Sequence, residues 1–240
     1  VIFGFGESLA RASGKDLKWF CAGSAGVDLY CGNEDVFESK DVLLSNSSGA
    51  FGLTISEYII MVTLMLLRRM PEYEGYVRNR QWKQMLPIRS IRDSRVVILG
   101  TGNLGSEAAR RFAGFNPSGI TGINRSGRDP GSGFTQVLRV DHLDEVLPET
   151  DILVMTLPAT KETDLLMDER RLSLMKQSAV LINVGRGNSL DQKALVRMLN
   201  GGALYGAALD VFEEEPVPAD DPVWNTPGLI MTPHVSGNLS

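Results

Sequence analysis

Three glycines, Gly100, Gly102 and Gly105, stand at G-x-G-x-x-G spacing in the stretch ILGTGNLGSEAARRF. Such a pattern is frequent by chance, and its chemistry depends on what flanks it. Here the apolar run Val96–Leu99 precedes it, and a helical pattern over Asn103–Ala113 follows directly. In that setting Gly100 permits a tight turn, Gly102 lets a pyrophosphate approach the backbone, and Gly105 lets the helix pack on the strand. The helix N-terminus adds unpaired N–H groups and the positive end of a dipole. The spacing therefore predicts a dinucleotide phosphate loop.

A second group of residues qualifies the first. The next apolar segment, GITGIN, ends at Asn124 and runs into Arg125, Ser126 and Arg128. An NAD-binding unit usually places Asp or Glu about 20 residues beyond the fingerprint, to bond the ribose 2′-hydroxyl. Asn124 stands there instead. An acid would repel a 2′-phosphate, whereas two guanidinium groups and a hydroxyl would hold one. The loop reads as a 2′-phosphate clamp, favouring NADP(H), with NAD(H) as the alternative.

These loops need a scaffold, and the chain supplies a rhythm for it. Short apolar runs at Val96, Asp151, Ala179 and Leu229 alternate with helical stretches at Asn103–Ala113, Glu169–Lys176 and Gln192–Asn200. Runs that are apolar throughout suit parallel strands covered on both faces. The expected fold is α/β: a doubly wound parallel-sheet (Rossmann) dinucleotide-binding domain over residues 51–240, preceded by an incomplete smaller α/β domain over 1–50. In the smaller piece VIFGF, LKWFCAG and DVLLSN read as three strands. Ile55–Met70 reads as a long helix stopped by Pro71, and Tyr73–Trp82 as an amphipathic helix with aromatics on one side.

Composition narrows the function classes. Apolar residues at 43% and charged residues at 22% of 240 describe an ordinary soluble domain. A net charge of -5 argues against a nucleic-acid or anionic-membrane surface. Cys21 and Cys31, the only cysteines, lack metal-ligand spacing and read as small buried or half-buried hydrophobes, as expected in a reducing, cytoplasmic compartment. No signal peptide is visible, although the chain begins at Val1 rather than Met. The run Tyr58–Leu67 is shorter than the ~20 residues a bilayer requires, and is expected as a helix buried on all sides.

Further candidates fall where strands end: Arg186 in NVGRGN, Asp210 and Glu215 in ALDVFEEEP, and His234 in TPHVSG. Strand C-termini in a doubly wound sheet line the ligand crevice. Of the two histidines, His142 begins an acidic helix and reads as surface.

The ordered motifs SAGVD (24–28), GTGNLG, LPATKET (157–163), INVGRGNSLD (182–191), GAALDVFEEEP (206–216) and TPHVSG (232–237) closely resemble the D-isomer-specific 2-hydroxyacid dehydrogenases, a family that includes glyoxylate/hydroxypyruvate reductases and phosphoglycerate dehydrogenase. The resemblance runs over essentially the whole chain. It implies that Arg186 grips the carboxylate and carbonyl oxygens of a 2-oxo acid. His234 is the implied general acid and Glu215 its paired carboxylate. Asp210 is implied to bond the nicotinamide carboxamide, and backbone N–H groups of the Ser24, Ala25 and Gly26 turn to bind the substrate carboxylate. Further cofactor contacts are implied at Asn103, Leu104, Leu157, Pro158, Thr163, Val184, Gly185 and His234. The chemistry makes the same demand, because hydride addition builds negative charge on a carbonyl oxygen that a proton donor and a fixed cation stabilise.

The resemblance also implies a flavodoxin-like substrate domain, completed in the family by a strand upstream of Val1 and a segment beyond Ser240. Residues 1–240 are therefore expected to bind NADPH yet turn over poorly. A homodimer is expected through the Ile55–Leu67 helix and the following YEGYVRNRQW segment. The function this predicts is NADPH-preferring reduction of a small 2-oxo acid to the D-2-hydroxy acid, glyoxylate or hydroxypyruvate first. Two alternatives stay open: an NAD-linked dehydrogenase of another D-2-hydroxy acid, and a non-catalytic cofactor-sensing protein like the corepressors built on this fold. Formate dehydrogenases carry glutamine where Glu215 stands, which disfavours them. No metal, nucleic acid or membrane partner is expected.

Overall fold

A computed structural model describes residues 1–4, 6–31, 35–39, 41–84 and 86–237, in two units, Val1–Gly52 and Leu53–Ser240. In the first, β1 (Ile2–Gly4) leads into a short helix α1 (Glu7–Arg11) and then β2 (Trp19–Ala22) and β3 (Leu43–Asn46). The three strands are parallel in the order β1-β2-β3. Phe20 anchors a small core, its ring 5.2 Å from Tyr30 and 5.3 Å from Phe37. Phe5, the last residue of VIFGF, lies outside the described residues. Helix α1 was not foreseen, because five residues are too few to display a 3.6-residue period.

Helix α2 (Gly52–Leu67), all but its first residue in the second unit, is followed by α3 (Met70–Arg78). There follow β4 (Arg95–Leu99), α4 (Asn103–Ala113), β5 (Gly119–Asn124), β6 (Gln136–Arg139), α5 (Leu143–Val146), β7 (Ile152–Met155), α6 (Glu169–Leu174), β8 (Val180–Asn183), α7 (Gln192–Asn200), β9 (Gly206–Leu209) and β10 (Leu229–Met231). The seven strands form one parallel sheet in the order β10-β9-β8-β7-β4-β5-β6. Successive side chains point to opposite faces. Val96, Ile98, Ile152, Val154, Val180 and Ile182 meet α2 and α4 on one face. Val97, Leu99, Leu153, Met155 and Leu181 pack with α5, α6 and α7 residues such as Leu143, Leu172 and Leu195 on the other. Both faces are covered, which is why the strands are apolar without alternation.

Four expectations change. Helix α2 is not buried all round: Ile59, Val62, Leu66 and Leu67 face the sheet, but Leu53 is 56% and Met61 49% exposed. Pro71 does not simply stop that helix. The chain turns at Arg69, left-handed at φ 60°, and Pro71 lies in the first turn of α3, where its missing N–H costs no helical bond. Helix α3 ends at Arg78 rather than Trp82 and buries none of its residues. Its aromatics pack on each other, with Tyr73 and Tyr76 6.3 Å apart. Strand β6 was missed because an edge strand with two exposed and two half-buried positions needs no apolar run.

Candidate active site

Strand order reverses between β4 and β7, so the loops after these two strands flank a crevice at the sheet's C-terminal edge. Gly100 takes φ 98°, and a β-carbon there would lie 2.7 Å from Thr156 Oγ1. A β-carbon on Gly105 would lie 1.9 Å from the Gly100 carbonyl oxygen, so α4 starts flush against the turn. Gly102, by contrast, has nothing within 4 Å of a built β-carbon. It is the N-cap of α4 with no side-chain cap on the helix, and Asn103 and Leu104 form the first turn. An open backbone cradle at an uncapped N-terminus fits a pyrophosphate.

The loop after β5 is organised by Asn124. Its Oδ1 accepts from Ser126 N (2.9 Å) and Gly127 N (2.6 Å), and its Nδ2 donates to Thr101 Oγ1 (2.7 Å) and the Arg128 carbonyl (2.9 Å). The amide thus ties the loop to the Gly100–Gly105 turn and has little capacity left for a ribose. Arg125, Ser126 and Arg128 are exposed, and among the described residues no carboxylate lies within ion-pair distance of either guanidinium. An exposed cationic loop held this way fits a phosphate.

Arg186 follows β8. Buried Asn183 accepts from Gly185 N (3.1 Å) and donates to the Arg186 carbonyl (3.1 Å), and Ser189 Oγ donates to that carbonyl at 2.7 Å. The guanidinium donates to the Gly185 carbonyl at 2.8 Å. A β-carbon on Gly187 would fall 1.9 Å from the Phe212 backbone, so this turn sits directly on the segment leading to Glu215. Gly185 likewise abuts Leu157. The Pro158–Thr163 loop is closed on itself, Thr163 Oγ1 donating to the Pro158 carbonyl at 2.6 Å. Val184 is core, so any contact from it falls to its main chain.

Glu215 and His234 come from neighbouring strand ends, because β9 and β10 pair in parallel with Leu209 opposite Met231. Glu215 Oε1 accepts from Phe212 N at 2.9 Å, and its Oε2 lies 2.7 Å from His234 Nδ1. His234 is left-handed at φ 55° and donates its N–H to the Asp210 carbonyl at 2.9 Å. The Asp210 carboxylate is fully buried and faces the 232–236 turn. It accepts from Thr232 Oγ1 (2.5 Å), Val235 N (2.9 Å) and Ser236 N (3.0 Å). Of its roughly four acceptor positions, one is left for the carboxamide bond that the resemblance implied. An imidazole oriented by a carboxylate, that carboxylate following the strand next to the arginine's, is a set that can donate a proton beside an oxyanion.

In the other unit, the Ser24, Ala25 and Gly26 turn follows β2. Its carbonyls are taken up by Ser47 N (3.0 Å), Asn46 Nδ2 (2.7 Å) and Ser24 Oγ (2.7 Å) respectively.

A family model, D-isomer specific 2-hydroxyacid dehydrogenase, NAD binding domain, matches residues 60–236. The chain belongs to this family. A glyoxylate reductase from Korarchaeum cryptofilum is 32% identical over 213 residues, covering 85% of this chain and 63% of the relative. The chain thus spans less than two thirds of that relative's length. A D-isomer specific 2-hydroxyacid dehydrogenase family protein from Aeromonas salmonicida has a similar structure (TM-score 0.88, 38% identity, 98% of this chain and 74% of that one). So does the NADPH-dependent glyoxylate/hydroxypyruvate reductase from Sinorhizobium meliloti, solved with NADP and sulfate (TM-score 0.82, 31% identity, 93% and 70%).

For this dehydrogenase-family chain, several positioning residues escaped sequence reasoning. Asn183 carried a usable signal, a lone amide closing an apolar run. Thr232 lay inside the TPHVSG motif, but its 2.7 Å contact with Tyr58 joins residues far apart in sequence and carried no sequence signal. Cys31 is exposed, unlike the expectation, because the Val27–Cys31 turn ends at the surface. His142 is a surface residue beside Glu145. Among the described residues no helix is long and apolar enough to cross a membrane, and no His/Cys/Asp/Glu cluster could hold a metal.

Proposed function

We propose that this chain carries the cofactor-binding and proton-transfer machinery of an NADPH-preferring reductase that converts a small 2-oxo acid, of glyoxylate/hydroxypyruvate type, to the D-2-hydroxy acid. The observation that carries the reading is the 2.7 Å pair of His234 Nδ1 and Glu215 Oε2, with Glu215 following β9 next to the β8 end that carries Arg186. The cofactor, when bound, supplies the hydride. Glu215 accepts the Nδ1 hydrogen bond and fixes the ring with Nε2 toward the substrate. In the imidazolium form Nε2 gives its proton to the carbonyl oxygen as negative charge develops there, leaving the neutral ring protonated on Nδ1. Arg186 binds the substrate carboxylate and steadies that charge. Backbone N–H groups of the Ser24–Gly26 turn are assigned to the substrate carboxylate.

Arg125, Ser126 and Arg128 are assigned to the 2′-phosphate, and Asn124 to holding their loop. Gly100, Gly102, Asn103, Leu104 and Gly105 take the pyrophosphate, with Leu157, Pro158, Thr163, Val184, Gly185 and Asp210 completing the cofactor side. A homodimer through α2 is supported by the exposure of Leu53 and Met61, and a cytoplasmic location by two free cysteines. The test is turnover of glyoxylate, hydroxypyruvate, pyruvate and bulkier 2-oxo acids by the full-length protein with NADPH and NADH. Reduction of the smaller acids, faster with NADPH, is expected. Tight NADPH binding without turnover of any acid would replace this reading with that of a cofactor-sensing protein.

A further inference from the structure

We propose that Tyr58 is a positioning residue for His234, acting through Thr232 and Asp210. This rests on the reading of His234 as the proton donor. The Thr232–Ser236 turn is folded round one buried carboxylate, which takes the Thr232 hydroxyl and the Val235 and Ser236 N–H groups at 2.5–3.0 Å. Within the turn His234 is left-handed, a conformation a residue with a β-carbon keeps only when its surroundings impose it. Asp210 does part of that work. The rest enters from α2.

Thr232 has a single hydroxyl proton, and it goes to a carboxylate that only accepts. Toward Tyr58, 2.7 Å away, the Thr232 oxygen must therefore accept and the phenol donate. Burial, the largest influence, raises the Tyr58 pKa to about 12, and the Asp210 charge adds to it. The phenol keeps its proton across the working pH range. Its helix is fixed, since Ile59, Val62 and Leu66 pack into the sheet core. The phenol is thus a strut from a rigid helix to the rotor that closes the His234 turn. Without it the Thr232 hydroxyl is free to swing away from Asp210, and the imidazole loses alignment with the carbonyl oxygen. Most cofactor affinity should be spared, because the phosphate loop and clamp follow β4 and β5, with β7 and β8 intervening, and Asp210 stays held by the Val235 and Ser236 N–H groups.

The test uses Tyr58→Phe, Thr232→Val, Thr232→Ser and the Tyr58→Phe/Thr232→Val double variant of the full-length enzyme, with thermal melts confirming the fold. Tyr58→Phe should lower kcat for 2-oxo acid reduction roughly three- to tenfold, the worth of one hydrogen bond, with NADPH Kd within about twofold. The factor should be constant from about pH 6 to about pH 9, since the phenol does not titrate there. Thr232→Ser should retain activity, Thr232→Val should lose it, and Tyr58→Phe should add nothing on the Thr232→Val background. Amide exchange in residues 232–236 should quicken in Tyr58→Phe. Wild-type kcat in Tyr58→Phe, full additivity in the double variant, or unchanged exchange would each overturn the proposal. If the wild type turned over no 2-oxo acid, the functional reading would fail separately, and exchange would still decide whether Tyr58 holds the turn.

Discussion

Replacing Arg125 with Asp tests the cofactor assignment directly. Its loop is pinned at both ends by Asn124, to Thr101 on the Gly100–Gly105 turn and to the Arg128 carbonyl, so the substitution changes charge without freeing the loop. A charge-assisted hydrogen bond contributes about 1.5–3 kcal/mol. Arg125 and Arg128 are exposed, so solvent screening puts the contact at the low end of that range. Taking ~1.4 kcal/mol, NADPH should bind at least about tenfold more weakly. The new carboxylate adds repulsion. Glu162 is near enough to feel Arg125: its own backbone N–H and Thr160 are the main causes of its lowered pKa, with Arg125 contributing further. Arg125→Asp would thus leave two acids near the phosphate. NADH, lacking the phosphate, should bind unchanged or better. Calorimetric titration of both cofactors at about 50 mM and about 300 mM salt reads this out, and wild-type NADPH affinity should fall with salt more than NADH affinity. Equal losses for both cofactors, or a wild-type preference insensitive to salt, would refute the clamp.

His234→Asn should lower the reduction rate about 10²–10⁴-fold while NADPH affinity stays near normal, measured by single-turnover hydride transfer. Glu215→Gln should give a smaller loss, because the amide can still accept from Phe212 N but presents no charge to the ring. Asp151→Asn tests the base of the sheet, where Asp151 accepts from Arg95 N (2.9 Å), Lys176 (3.1 Å) and Arg89 (3.3 Å). Burial pushes its pKa up, but those donors outweigh burial and hold it below the usual carboxylate value. Its stabilisation is therefore present above the unfolded value of ~3.9 and is lost as pH falls through the lower folded value. The variant should cost roughly 1–3 kcal/mol in urea denaturation at neutral pH, with the gap to wild type closing in strong acid.

Much of the scaffold was legible because local sterics wrote it. Gly105 is glycine because a β-carbon would fall 1.9 Å from the Gly100 carbonyl oxygen, and such a requirement shows as a fixed letter at a fixed spacing. The strands were legible because burial on both faces demands apolar residues at every position. Where that demand relaxes, legibility fails: β6 has no fully buried residue, and α2 turns Leu53 and Met61 outward with no change of composition to mark it. The candidate site was legible as a set of residue types at strand ends, His234, Glu215 and Arg186 among them.

Residue types and their order along the chain were settled in the primary structure: the glycine spacing, the basic loop replacing an acid, the lone histidine after the final strand. Which partner each polar group meets was settled by packing. Asn124 stands where a ribose ligand was expected, yet its amide is consumed by its own loop and by Thr101 after β4. Asp210 faces the turn it holds, and Tyr58 reaches Thr232 from the opposite end of the unit's sequence. Periodicity and spacing encode neighbours only within one element. A hydrogen bond between elements depends on distances set when β9 pairs with β10 and α2 packs on the sheet, and those distances exist only once the chain has folded.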